Sequence, residues 1–189
     1  MDTILKVIGE VGSIKQVKSI INSINDNQEQ SKNWLVEKSI EYFTFFDKPK
    51  ICIAAGWYGS LADKLKAHID NGVLSFDKDS QCKAIGQKLY KGVTFATAEI
   101  EYFNFRTYDI VICTSCEHLE QKVINDMLER IKKGALVILQ SNNYTQIEGH
   151  INCHNSVDEF EQTLKFDKIL YKGSLKLDKY DRYMVVGIK

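Results

Sequence analysis

From Lys50 to the end of the chain, short β-rich runs alternate with amphipathic segments, and this rhythm limits the fold more than any other feature. "KICIAA" reads as a strand, "YGSLADKLKAHID" as a helix, "GVLSFD" as a strand, "KDSQCKAIGQKLY" as a helix and "VTFATA" as a strand. "YDIVICT", "EHLEQKVINDMLERIKKG" and "ALVILQS" repeat the pattern, and "SVDEFEQTL" adds a last helix. Strands joined by crossover helices run parallel, and those helices cover both faces of the sheet. The two final runs, "FDKILYKGSL" and "RYMVVGIK", have no helix between them, so they are expected to pair as an antiparallel hairpin at the sheet edge. The expected fold is therefore α/β and doubly wound, a mostly parallel seven-stranded sheet that ends in that hairpin.

Ahead of it, Ile14, Val17, Ile20, Ile21 and Ile24 recur at helical spacing, and "NDNQEQS" breaks the pattern. A second helix is expected over residues 29–46, burying Trp34, Leu35, Ile40, Phe43 and Phe46, with Pro49 setting up the first strand. Residues 1–48 thus form a helical extension, suited to be a lid or a homo-oligomer contact, and residues 49–189 a ligand-binding domain. The 25 basic and 25 acidic residues cancel, which leaves no electrostatic footprint for nucleic acid. There is no apolar run long enough for a bilayer, and the N-terminus lacks the long apolar segment of a signal peptide. Five irregularly spaced cysteines do not make a disulfide framework, so a cytoplasmic protein with free thiols is expected.

Doubly wound sheets bind ligands beyond the carboxyl ends of their strands, where strand order reverses. After the first strand, "AAGWYGSL" sets Gly56 and Gly59 around Trp57 and Tyr58, which lets backbone approach a ligand; a tight turn with no ligand would use the same glycines. Asp77 closes the second strand about 20 residues beyond that turn, where a ribose finds its carboxylate acceptor. Neighbouring Asp79 is expected to cap the next helix. After the third strand, Ala98 is small enough to admit a flat base and Glu99 can accept from an exocyclic amine. After the fifth, Asn142, Asn143, Tyr144, Glu148 and His150 offer a polar substrate surface.

The fourth strand ends in "CTSCEH", which admits three readings. Cys113, Cys116 and His118 supply zinc-type ligands, with "HINCH" able to complete a site; yet cysteines three apart on a strand face opposite ways, and no metal is expected. Cys116 with His118 as base would make a nucleophile. The least demanding reading is the rim of a cofactor pocket, with Cys113 in the core and Glu117 and His118 left as acid–base candidates.

Glycine turn, Asp77, Glu99, a reactive fourth strand end and an antiparallel finish, taken in that order, resemble the class I S-adenosylmethionine-dependent methyltransferases over residues 50–189. "AGWYG", "TSCEH" and "LQSNNYTQIEGHINC" are similar to small methyltransferase-like proteins of bacteriophages. The resemblance implies a Rossmann-like fold, S-adenosyl-L-methionine as cofactor, and in-line methyl transfer to a small polar molecule or modified end group. By position it implies that Gly56, Trp57, Tyr58 and Gly59 line methionine and ribose, that Asp77 accepts from the ribose, and that Lys78 and Glu99 flank the adenine near Ala98. Thr114, Ser115 and Cys116 would lie beside the sulfonium, with Glu117 and His118 facing the substrate. Ile53 stands where the family usually has an acid, and Ala55 and Trp57 where it usually has glycines. Two other outcomes share the binding site: a lyase or hydrolase that consumes the cofactor, and a catalytically silent nucleoside-binding module.

Overall fold

The structure, a computed structural model, describes residues 2–189. Its strands are β1 (Ile51–Ala54), β2 (Val73–Asp77), β3 (Thr94–Thr97), β4 (Ile110–Cys113), β5 (Leu136–Asn142), β6 (Lys168–Lys176) and β7 (Asp181–Ile188). They form a seven-stranded sheet in the order β3-β2-β1-β4-β5-β7-β6. The first five pair in parallel, and β7 runs antiparallel to both β5 and β6. This is the expected Rossmann-like sheet with its C-terminal hairpin.

Burial on both faces explains the near-continuous apolar central strands. Ile51, Ile53, Ile110, Ile112, Leu136 and Ile138 pack on one side, against Trp34 and Leu35 of α3 (Asp26–Phe43) and Leu61 and Leu65 of α4 (Ser60–Leu65). Cys52, Ala54, Val111, Cys113, Val137 and Leu139 face the other, against Ile124 and Met127 of α6 (Gln121–Arg130) and Phe160 of α7 (Val157–Gln162). Edge strand β6 has only exposed and half-buried positions, whereas β7 is buried from Arg182 to Gly187. That difference places β7 inside, against β5, and leaves β6 at the edge.

Asn25 caps α3 by accepting from the Gln28 N–H at 2.9 Å, so this helix starts and stops three residues earlier than its apolar spacing predicts. Helices α1 (Asp2–Glu10) and α2 (Ile14–Ser23) lay Val7 and Ile20 against Tyr58 and against Cys82 and Ile85 of α5 (Ser80–Leu89). The sequence pattern anticipates α2 but not α1. Asp79 caps α5 as expected, accepting from the Gln81 N–H at 2.9 Å. The segment "YGSLADKLKAHID" gives less helix than expected, since α4 ends at Leu65 and a 3-10 turn follows over Lys66–His68.

The chain winds outward through β2 and β3, then returns to lay β4 on the other side of β1. Strand order therefore reverses between β1 and β4, and the residues leaving those two strands stand over the opening.

Candidate functional site

The turn after β1 is held in an unusual shape. Ala55 and Trp57 have φ of 49° and 51°, and Gly59 has φ of 87°. Ala55 and Trp57 thus adopt the left-handed conformation that glycine favours, at a cost of roughly 1–2 kcal/mol each. Hydrogen bonds fix the shape: Gly56 N–H donates to Phe76 O at 2.9 Å, and Trp57 N–H to Asp77 Oδ2 at 3.2 Å. The Trp57 indole N–H and the Tyr58 hydroxyl both reach Ser19 Oγ of α2, at 3.2 and 3.0 Å. The glycines themselves answer to packing, because a Cβ on Gly56 would lie 2.2 Å from Ser75 Oγ and one on Gly59 2.5 Å from the Phe95 ring.

Beyond this turn lies a cavity of about 310 Å³, into which Trp57, Asp77, Lys78, Ala98, Glu99 and Ser115 converge. Asp77 accepts one backbone N–H on each oxygen, from Trp57 and from Asp79 at 3.1 Å, which orients the carboxylate and leaves each oxygen a lone pair. A second, smaller cavity of about 80 Å³ adjoins it, lined by Lys32, Gly56, Tyr58, Thr114, Glu117 and Arg182. Both cavities are bordered by Ala55, Trp57, Ser115 and His118. Of the expected cofactor residues, all but Gly59 and Cys116 therefore line one cavity or the other.

Cys116 goes inward. The expectation that Cys113 and Cys116 face opposite ways is corrected, because the strand stops at Cys113 and Cys116–His118 form a 3-10 turn. A pair three apart diverges on a strand but converges through such a turn, and both thiols join the same core cluster. A hydrogen bond with Cys113 and complete burial push the Cys116 thiol well above its usual range, which disfavours a thiolate nucleophile or zinc ligand there. The same turn separates Glu117 and His118 from α6, which starts only at Gln121 because Leu119 and Glu120 are extended.

Glu117 is 5% exposed and its Oε1 meets Arg182 Nη1 at 2.6 Å. Arg182 also donates to the Thr114 carbonyl, so β7 holds the turn after β4 in place. Lys32, on α3, donates to Ser23 O at 2.5 Å, and burial pushes its pKa down to about 8. Lys32 and Arg182 are functional candidates that the sequence reading missed. Their signals were a lysine beside the buried Ser31, Trp34 and Leu35, and an arginine opening the buried run "RYMVVG".

His118 is exposed, and its Nδ1 lies 3.0 Å from Gly149 O. His150 Nδ1 lies 2.6 Å from Tyr144 O, and the two imidazoles stand edge to face with centroids 4.5 Å apart. Carbonyls only accept, so each ring donates from a protonated Nδ1, and in a neutral ring the lone pair then sits on Nε2. The loop bearing His150 is tied down, because Ile151 and Asn152 donate N–H groups to Glu117 O at 2.9 and 3.1 Å. Asn142 is buried and accepts from Tyr144 N–H at 2.8 Å, while Asn143 accepts from Asp181 N–H at 2.8 Å. Tyr144 stacks on Tyr180 with centroids 5.3 Å apart, and Glu148 is exposed. The polar loop thus divides into asparagines that shape it and a tyrosine and histidine set on its surface.

Neither a protein-family model nor a curated protein matches the sequence. Solved structures do share the architecture. Magnesium protoporphyrin IX methyltransferase (ChlM) from Synechocystis PCC 6803 with bound SAH is 16% identical, over 100% of this chain and 93% of that one, with a TM-score of 0.67. The N-methyltransferase NodS from Bradyrhizobium japonicum WM9, in complex with S-adenosylhomocysteine, is 12% identical over 100% and 99% of the two chains, with a TM-score of 0.70. An S-adenosylmethionine-dependent methyltransferase from Mesorhizobium loti covers 82% of this chain and 97% of its own, at 10% identity and a TM-score of 0.58. At such identities the common property is the fold, and the fold is that of S-adenosylmethionine-dependent methyltransferases.

Proposed function

We propose that the chain is an S-adenosyl-L-methionine-dependent methyltransferase whose acceptor is a small polar molecule or a modified end group. The observation that carries this reading is the pair of adjoining cavities at the strand-order switch. One is large enough for a nucleoside and carries the Asp77 carboxylate; the other is small and carries the Lys32 charge beside the Glu117–Arg182 pair. A ligand with a nucleoside at one end and an amino acid at the other matches that division. Asp77 has lone pairs free for two ribose hydroxyls, Ala98 borders the space for a flat base, and Lys32 supplies the positive charge for a carboxylate, Arg182 being paired with Glu117.

When bound, the cofactor supplies a methyl group on a sulfonium sulfur that keeps the bonding electron pair as the methyl leaves in line. The protein's part is to place an acceptor at the junction of the cavities and to take its proton. His118 borders that junction with its Nε2 lone pair available, so it is the proton acceptor. Glu117, locked to Arg182, provides negative charge beside it. Tyr144 and His150 form the acceptor side of the site, and α1 with α2 covers the glycine turn through Ser19. Exposed Leu5, Ile14 and Ile21 on those helices offer apolar surface for self-association.

Calorimetric titration with S-adenosylmethionine and S-adenosylhomocysteine tests the reading. Saturable binding that weakens about tenfold or more in Asp77→Ala supports it; absence of binding by the wild-type chain overturns it. His118→Ala should retain cofactor affinity and lose methyl transfer, and cofactor breakdown without any acceptor would identify a lyase or hydrolase instead.

A further inference from the structure

We propose that Glu117, His118 and His150 form a binding site for a divalent first-row transition ion, with Zn2+ or Mn2+ as the probe. One donor atom from each of the three lies within 4.8 Å of the others. Both imidazoles already engage a backbone carbonyl through Nδ1, the outer-shell contact that metal-bound histidines make, and a neutral ring then offers Nε2 to the ion. An ion there occupies the lone pair that His118 otherwise uses as proton acceptor, so the two roles of His118 exclude each other. The carboxylate has the complementary vacancy. Oε1 is taken by Arg182, whereas Oε2 is buried without a hydrogen-bond partner among the described residues. A buried carboxylate oxygen with no partner is unfavourable, and a cation removes the penalty.

An ion about 2.1 Å from each donor needs the donors roughly 3–3.5 Å apart, so the rings must swing inward. His118 is exposed and His150 is half-buried on a loop, which leaves both side chains room to move, while the Glu117 backbone carbonyl ties turn and loop together. Two imidazoles with one carboxylate favour a borderline ion over Mg2+ or Ca2+, which prefer all-oxygen shells. Three protein ligands leave open positions for water or for an acceptor oxygen. The Arg182 guanidinium on Oε1 opposes the ion's charge, so the affinity should fall below that of a structural zinc site. These ligands differ from the Cys113, Cys116 and His118 set, whose thiols are buried in the core.

The test is titration of the chelator-treated chain with Zn2+, Mn2+ and Mg2+, in wild type, His118→Ala, His150→Ala and Cys153→Ser. Cys153 serves as the control because its Sγ lies 3.9 Å from His150 Nδ1 and offers zinc an alternative ligand. Expected are a single saturable Zn2+ or Mn2+ site, a loss of about tenfold or more in both histidine variants, and no change in Cys153→Ser. The proposal is overturned by no saturable binding, by wild-type affinity in both histidine variants, by loss in Cys153→Ser, or by Mg2+ binding as tightly as Zn2+. Parallel titration with S-adenosylmethionine separates the two readings. A chain that binds cofactor but no ion overturns the ion site alone, and one that binds ion but no cofactor overturns the methyl-transfer reading alone.

Discussion

Lys32 keeps a titratable nitrogen in a place with little water, held by the Ser23 carbonyl and flanked by Arg182 across the small cavity. Its pKa falls to about 8 from an ordinary 10.5, first because of burial. Between those two values the unfolded chain holds a proton that the folded chain has released, so stability rises as pH climbs from about 8 to about 10.5. Lys32→Met should remove this rise, by about 3 kcal/mol at most, read as the difference between wild-type and variant urea melts across that interval. The Glu117–Arg182 pair acts in the opposite sense, because each charge excuses the other. Arg182→Met should destabilise by about 3–5 kcal/mol, since it strands a buried carboxylate, and the double variant Glu117→Met/Arg182→Met should recover most of that loss in the same melts. Neither interaction could be read from spacing. Glu117 and Arg182 are 65 residues apart, and a pair that distant becomes visible only once β7 lies beside β5.

At the scale of elements, local signals served where a single side chain decided the outcome. Asp79 announced the start of α5, and doubly buried strands announced themselves by apolar runs. Signals failed where tertiary context overrode propensity. The "CEHLE" segment continues a helical pattern, yet Leu119 and Glu120 extend and the histidine ends on an isolated turn facing His150. Most of the residues expected from the strand ends to meet a cofactor do line a cavity, whereas the charged wall of the small cavity was not legible there. The turn after β1 yields a paired prediction. Ala55→Gly should stabilise by about 1 kcal/mol, because glycine meets the φ of 49° without strain. Gly59→Ala should destabilise by about 2 kcal/mol or more, since it combines positive φ with a Cβ 2.5 Å from Phe95. Thermal melts of both variants should move in opposite directions.

Across the whole molecule, the site joins pieces from every part of the chain: Lys32 from the N-terminal helices, Asp77 and Ser115 from the sheet's switch, His150 from the loop after β5 and Arg182 from the last strand. A ligand bridging such pieces should stabilise the fold as one unit. On the methyltransferase reading, S-adenosylmethionine at 100 times its Kd adds about 2.7 kcal/mol. That corresponds to a rise of about 5–10 °C in melting temperature for a chain of this size, and no shift at such saturation would count against the binding mode. The placement of β7 has a further consequence, for how the protein is made. On the ribosome β6 emerges before β7, yet β7 is its sole neighbour in the sheet, so β6 must wait as an unmatched strand until β7 slides in against β5. Arg182 arrives with that last insertion. The nascent chain can therefore shape its larger cavity before β7 emerges, but Glu117 gains its counter-charge only once that strand has paired with β5.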